Sequence, residues 1–280
     1  MMSVYYVNGA YVDRDNALLP VTDLAILRGY GVFDYLRTYH GEPVSLEANV
    51  ARLRQSATLI GLDYPWSDAE IAAIVRETLN HNDHPESSIR IVVTGGSSPD
   101  NIMPNGSPSL IVMVDAHKPN PDWWYTQGVK IVTANIARLY PGAKSINYIP
   151  AILARKKADA NAVEVIYTTD TGHVLEGTTS NLFLVMDGKL ITPHLERVLP
   201  GITRRTIINA ASKEFVIEER DIDIDELYAA EEAFITAANK RVVPVSTVDD
   251  RTIGDGQPGP VTQRVMALFD TVTYGVAKHA

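Results

Sequence analysis

Several residues far apart in this chain carry groups that do chemistry on carbonyls and small anions. Lys144 stands in "PGAKSINYIPAILARKKA", between a Pro-Gly turn and a mostly apolar stretch, while Arg155, Lys156 and Lys157 cluster at the far end of that stretch. A neutral amine attacks carbonyls, and burial or a nearby cation makes a lysine neutral by lowering its ordinary pKa of about 10.4. Taken alone, such a lysine also reads as a solvated turn residue. Glu176 ends a strand in "LEGTTSNLFLV" and precedes Thr178, Thr179 and Ser180. That arrangement is either a polar site at a sheet edge or an ordinary turn. In "LPGITRRT" the amides of Gly201, Ile202 and Thr203 and the Thr203 hydroxyl meet at a helix start. This geometry holds a phosphate, and it equally describes a plain Thr-capped helix. Arg52, in "NVARLRQSA", brings a guanidinium that could serve the same phosphate or lie on a solvated helix face.

The elements that must position these groups are legible in outline. Asn8-Gly9 in "YYVNGAYV" signals a two-residue hairpin, and "DYLRTYHGEPVSL" repeats the design around Gly41. Val50, Leu53, Ala57 and Ile60 recur at helical spacing between Ser45 and Gly61. Ser67 and Glu70 form a capping-box pattern ahead of Ile71, Ile74, Val75 and Leu79. "SIRIVVT" and "SLIVMVD" read as strands that complete a first unit. The proline-rich and aperiodic residues 120–128 predict a linker, with domains over 1–119 and 129–280. In the second domain, "VKIVTANIA" is a strand, and hairpins turn at Asp170 to Gly172 and at Asp187-Gly188. A helix follows "LPG", then strands "AFITAA" and "VVPVSTV" and a last helix from Pro260. Many hairpins with interspersed helices predict an α+β fold.

Composition narrows the partners. A formal charge of −9 with scattered cations argues against nucleic acid. No apolar run approaches the roughly 18 residues of a membrane span, and the amino terminus lacks the pattern of a signal peptide. The expectation is a cytoplasmic protein acting on small molecules. With no cysteine there is no thiol chemistry. The histidines show no ligand spacing, so no metal site is predicted.

Taken in order, "RGYGVFDYLRTY", "ARLRQSA", "AKSINYIPAILARKKA", "EGTTSNLFLV", "LPGITRR" and "DDRTIGDGQPGPVTQ" resemble the class IV aminotransferases, the fold-type IV pyridoxal-phosphate enzymes, over nearly the whole chain. The resemblance implies a smaller N-terminal α+β domain, a larger C-terminal domain with antiparallel strands and helices, and pyridoxal 5'-phosphate at the domain interface. It implies that Lys144 forms the Schiff base and shuttles the proton, and that Glu176 holds the pyridine nitrogen protonated. Arg52, Gly201, Ile202 and Thr203 would take the phosphate, with Ser180 and Asn181 also at the cofactor. Tyr148 would approach the ring oxygen, and Arg138 matches an arginine near the cofactor. Where relatives carry a phosphate-binding hydroxyl this chain has Ala238, so contact there falls to backbone amides or to Asn239.

For substrate, Gly95 follows Thr94 where common D-amino acid transaminases have an arginine, and Ser88 stands where branched-chain enzymes have a tyrosine before Arg90. Arg28 replaces another tyrosine of the branched-chain group. "ILRGYG" and "IRIVVTGGSSPD" resemble an atypical subgroup of D-amino acid transaminases, implying that Arg28 and Arg90 grip carboxylate and that Tyr30, Phe33 and Tyr35 line the side-chain pocket. D-Glutamate and 2-oxoglutarate are the expected pair, in a homodimer whose Arg28 loop reaches the neighbouring site. The alternatives are an L-branched-chain aminotransferase, an aminodeoxychorismate lyase and a catalytically silent cofactor-binding protein.

Overall fold

The structure, a computed structural model, describes residues 3–277, which divide into two compact units. The first comprises residues 3–118 together with Ala143–Tyr148. Its elements are β1 (Val4–Val7), β2 (Ala10–Asp13), α1 (Leu24–Arg28), β3 (Gly31–Tyr39), β4 (Glu42–Pro43), α2 (Leu46–Leu59), α3 (Asp68–Asn80), β5 (Ser87–Thr94) and β6 (Ser109–Ala116). They form one antiparallel sheet of order β2-β1-β6-β5-β3-β4. Asn8 and Gly9 both take positive φ, as a tight hairpin with right-handed strand twist requires. The capping box of Ser67 and Glu70 starts α3. Ser45 precedes α2 in the left-handed region and makes no side-chain cap bond, so burial of Leu46, Val50, Leu53 and Ala57 holds that helix in place. Those residues pack on Val32, Leu36, Ile89, Ile91 and Val93, which occupy one face of the sheet at every second position.

The second unit comprises Pro119–Gly142 and Ile149–Gly275. It runs through α4 (Trp123–Thr126), β7 (Val129–Asn135), α5 (Ile149–Lys157), β8 (Ala162–Thr168), β9 (Val174–Gly177), β10 (Asn181–Met186), β11 (Lys189–Thr192), α6 (Ile202–Ala211), β12 (Ile217–Glu219), α7 (Ile224–Ala229), β13 (Glu232–Ala237), β14 (Arg241–Val248), β15 (Arg251–Thr252) and α8 (Pro260–Ala277). The sheet order is β12-β11-β10-β13-β14-β7-β8-β9, with β15 on β14. One face packs Phe183, Phe234, Ile207, Val265 and Phe269 beneath α6 and α8.

Three expectations change. Residues 120–128 are not a free linker, because α4 packs Trp124 and Tyr125 on the second core and the Tyr125 hydroxyl donates to the Lys240 carbonyl. The second sheet is mixed, with β7 parallel to both β8 and β14, and β11 parallel to β12. Parallel β7 and β8 need a long crossover, and Lys144 lies in it. That part of the crossover, Ala143–Tyr148, clusters with the first unit rather than the second. Among the described residues, no helix is long and apolar enough to cross a membrane.

Candidate active site

In the first unit β4 pairs only the far end of β3, so Gly31 and Phe33 would be left on a bare strand edge. The lysine segment covers it. The Phe33 amide donates to the Lys144 carbonyl (2.9 Å), and the Ile146 amide donates to the Gly31 carbonyl (3.1 Å). From the other side the Lys144 amide donates to Ser56 Oγ on α2 (3.1 Å). Held by three backbone bonds, Lys144 extends its Nζ over the Phe33 ring, 4.6 Å from the centroid. The Tyr148 ring meets Phe33 edge-on at 5.6 Å, and the Arg90 guanidinium stands 5.5 Å from the same centroid. Tyr35 lies two residues along β3 and directly opposite Arg90 in register. Lysine, arginine and three aromatic rings thus share the sheet face away from the helices.

On the helical side, Arg52 forms a buried fork with Asp34: Nε donates to Oδ2 (2.9 Å) and Nη2 to Oδ1 (2.8 Å). Asp34 escaped sequence reasoning, although it stands among the inward positions Val32, Leu36 and Thr38, where a carboxylate needs a cation. Ser56 was also missed, although it follows Arg52 by one helical turn.

Two substrate expectations need comment. Tyr30 does not share the face with Phe33 and Tyr35. Its ring packs on the helical core and against Gly95, and its hydroxyl donates to the Gly61 carbonyl (2.9 Å). Arg28 is exposed at the end of α1 and donates from Nη1 to the Leu27 carbonyl (2.7 Å).

In the second unit, contacts gather three segments singled out in the sequence. The buried Glu176 carboxylate accepts from Arg138 Nη1 at Oε1 (2.5 Å) and from the Leu199 amide at Oε2 (3.0 Å). Asn181 Nδ2 donates to the Leu199 carbonyl (3.0 Å), and a Cβ on Gly201 would lie 1.9 Å from Asn181 Oδ1, so only glycine fits there. Gly201 makes no side-chain cap bond at the start of α6, leaving the amides of Ile202 and Thr203 in the first turn without a side-chain cap. Ala238 and Asn239 lie in the turn between β13 and β14, where the Asn239 carbonyl accepts from Asn120.

That turn is tied down by a pair the sequence did not reveal. Lys240 Nζ lies 3.1 Å from Glu164 Oε2 and 2.5 Å from Thr179 Oγ1. Glu164 also accepts from the hydroxyls of Thr178, Thr179 and Ser180. Glu164 and Lys240 are only 1% and 6% exposed, so neither charge could persist there without the other. Burial pushes the Glu164 carboxyl up, but Lys240 and the Thr178 and Thr179 hydroxyls outweigh it and hold it at about 2. The side-chain donors of Ser180 and Asn181, expected at the cofactor, bind protein groups and shape the loops.

Comparison with known proteins identifies the family. The family model described as amino-transferase class IV matches residues 31–248. A putative branched-chain-amino-acid aminotransferase of Methanocaldococcus jannaschii is 34% identical over 95% of each chain. A D-alanine aminotransferase of Bacillus licheniformis is 32% identical over 97% of this chain and 98% of its own. The crystal structure of the T.th. branched-chain amino acid aminotransferase with pyridoxamine 5'-phosphate superposes with a TM-score of 0.91, at 29% identity, covering 98% of this chain and 95% of that one. The chain therefore belongs to the class IV aminotransferases, fold-type IV enzymes that use pyridoxal phosphate. The residue types fit that cofactor: within the second unit α6 has amides uncapped by any side chain and Glu176 is a buried carboxylate, and within the first unit Lys144 is an amine.

Proposed function

We propose that the protein is a D-amino acid transaminase, with D-glutamate and 2-oxoglutarate as its preferred donor and acceptor. The observation that carries this reading is the Arg90 guanidinium beside the ring that also carries the Lys144 amine. A cation there suits a substrate carboxylate, because a guanidinium binds one through two parallel hydrogen bonds. Arg28, exposed at the end of α1, is the second carboxylate ligand and acts from the neighbouring subunit.

Pyridoxal phosphate, when bound, supplies an aromatic ring that accepts the electrons left at the amino acid's α-carbon. Lys144 would hold it and would move the proton at that carbon. Glu176 keeps a proton on the ring nitrogen, and Arg138 and the Leu199 amide fix the direction of its carboxylate. Ile202, Thr203 and Arg52 take the phosphate, Arg52 being oriented by Asp34. Tyr148, packed on Phe33, would stand near the cofactor, and Asn239 would serve where Ala238 has no hydroxyl.

Initial rates with single amino acids test the reading. D-Glutamate is expected to react faster than L-glutamate and L-leucine. Arg90→Ala is expected to lower kcat/KM for D-glutamate about a hundredfold, the scale of a lost charge-assisted hydrogen-bond pair. Turnover of L-leucine without D-glutamate would instead establish the branched-chain reading, which the similarity to branched-chain relatives supports.

The chain is also proposed to act as a homodimer. In the second unit Leu139 and Ile149 are 84% and 65% exposed, and Tyr140, Ile152 and Leu153 are exposed beside them in sequence. Ile149 and Leu153 also line a cavity of about 580 Å³ against Val132, Ala134 and Ile136. Exposed apolar side chains on α5 beside such a cavity suit an interaction surface. Sedimentation of the wild type is expected to give twice the chain mass, and Leu153→Glu is expected to shift it toward monomer.

A further inference from the structure

The sheet face that carries Phe33 and Arg90 also holds a chain of polar groups that the proposed reaction leaves without a role. The Tyr35 hydroxyl lies 2.8 Å from Ser88 Oγ, and Ser88 Oγ lies 3.1 Å from Nδ1 of His117. Tyr35 faces Arg90 across the β3–β5 register. It stands two residues from Phe33, about 7 Å along the strand. Resting on the D-glutamate reading above, we infer that Tyr35, Ser88 and His117 form a specificity relay, in which the charge on His117 sets whether the Tyr35 hydroxyl donates to the carboxylate at Arg90 or back into the sheet.

Ser88 has one proton to give and sits between two partners. When His117 is protonated, Nδ1–H donates to Ser88, Ser88 turns its own proton to the Tyr35 oxygen, and the Tyr35 proton is released outward. When His117 is neutral, Nδ1 can accept. Ser88 then donates to His117, Tyr35 donates to Ser88, and the phenol presents lone pairs that repel a carboxylate.

The groups around His117 are fixed. Glu86 accepts from Thr38 Oγ1 (2.6 Å) and from the His40 amide (2.7 Å). Arg37 lies over the Tyr39 ring (4.2 Å), and Asp115, opposite Ser88 in register, accepts from the Tyr5 hydroxyl (2.8 Å). Burial first and the Arg37 charge second push His117 below the ordinary histidine value, against Glu86. Outward donation by Tyr35 therefore belongs to the acid side of the ordinary histidine range.

The test compares holoenzyme variants between pH 8 and pH 5.5. The kcat/KM of the wild type for D-glutamate, divided by that of Ser88→Ala, is expected to rise about tenfold on acidification, the low end for a hydrogen bond to a charged group. The loss caused by Tyr35→Phe is expected to be about ten times larger at pH 5.5 than at pH 8. His117→Gln, which cannot take the proton, removes the pH dependence. A binding readout is independent of turnover: glutarate, an unreactive dicarboxylate, is expected to raise the NMR-measured pKa of His117 in the wild type and not in Ser88→Ala. Ratios that stay constant across this pH range, or a His117 titration that glutarate leaves unmoved, would overturn the relay. If the enzyme turns over only L-glutamate, the D-amino acid reading fails, and the relay stands or falls on the same ratios with that isomer and on the glutarate titration.

Discussion

Lys144→Ala is expected to lower the transamination rate about a thousandfold or more, because one amine both holds the cofactor and moves the substrate proton. The loss should be chemical rather than structural. The bonds that seat this residue come from its backbone, through the Phe33 and Ser56 contacts, and alanine keeps them. Its side chain also stands over the Phe33 ring, a contact worth about 0.5–1 kcal/mol. A coupled assay of 2-oxo acid formation with a melting curve separates the two effects. The melting temperature should move little while turnover disappears. Activity within tenfold of the wild type would mean that another base does the work.

Lys240→Met is expected to be the most damaging substitution for stability, costing about 3–5 kcal/mol because it leaves a buried carboxylate uncompensated. For a chain of this size that is a fall of about 10 °C in melting temperature. The double variant Glu164→Gln, Lys240→Met should recover part of the loss, since the cost lies in the stranded charge rather than in a missing attraction. The pair also sets acid stability. With Glu164 held at about 2 in the folded protein, its contribution is fully present above the ordinary carboxylate range, declines below it and is gone once pH falls through about 2. Without Lys240, burial is opposed only by the remaining hydroxyl hydrogen bonds, the carboxyl moves up, and acid unfolding should begin at a higher pH. Equal stability of Lys240→Met and wild type in denaturant titrations would show that the two turns do not depend on this pair.

What the sequence disclosed was local. Asn8-Gly9, Asp187-Gly188 and the Ser67–Glu70 capping box each act within a few residues, and they appear as turns and a cap. The ordered segments around Lys144, Glu176 and Gly201 were legible for the same reason. Their partners were not: Asp34, Ser56, Glu164 and Lys240 reach their contacts across long stretches of chain. Grouping the lysine segment with the first unit depends on a bare edge of β3, which no local pattern announces. Parity along β3 did hold information about Tyr30. Phe33 and Tyr35 point one way and Val32 and Asp34 the other, and Tyr30 falls in the second set. The linker expectation over 120–128 weighed its prolines above its aromatic residues Trp123, Trp124 and Tyr125, which pack.

The most direct test of the central claim is to reduce the pyridoxal-phosphate-loaded enzyme with borohydride and map the modified peptide by mass spectrometry. Lys144 acting as the cofactor-bearing amine predicts one phosphopyridoxyl group on the peptide that contains it, and none when the protein is Lys144→Ala. A label on any other lysine, or a wild-type protein left unlabelled, would contradict it.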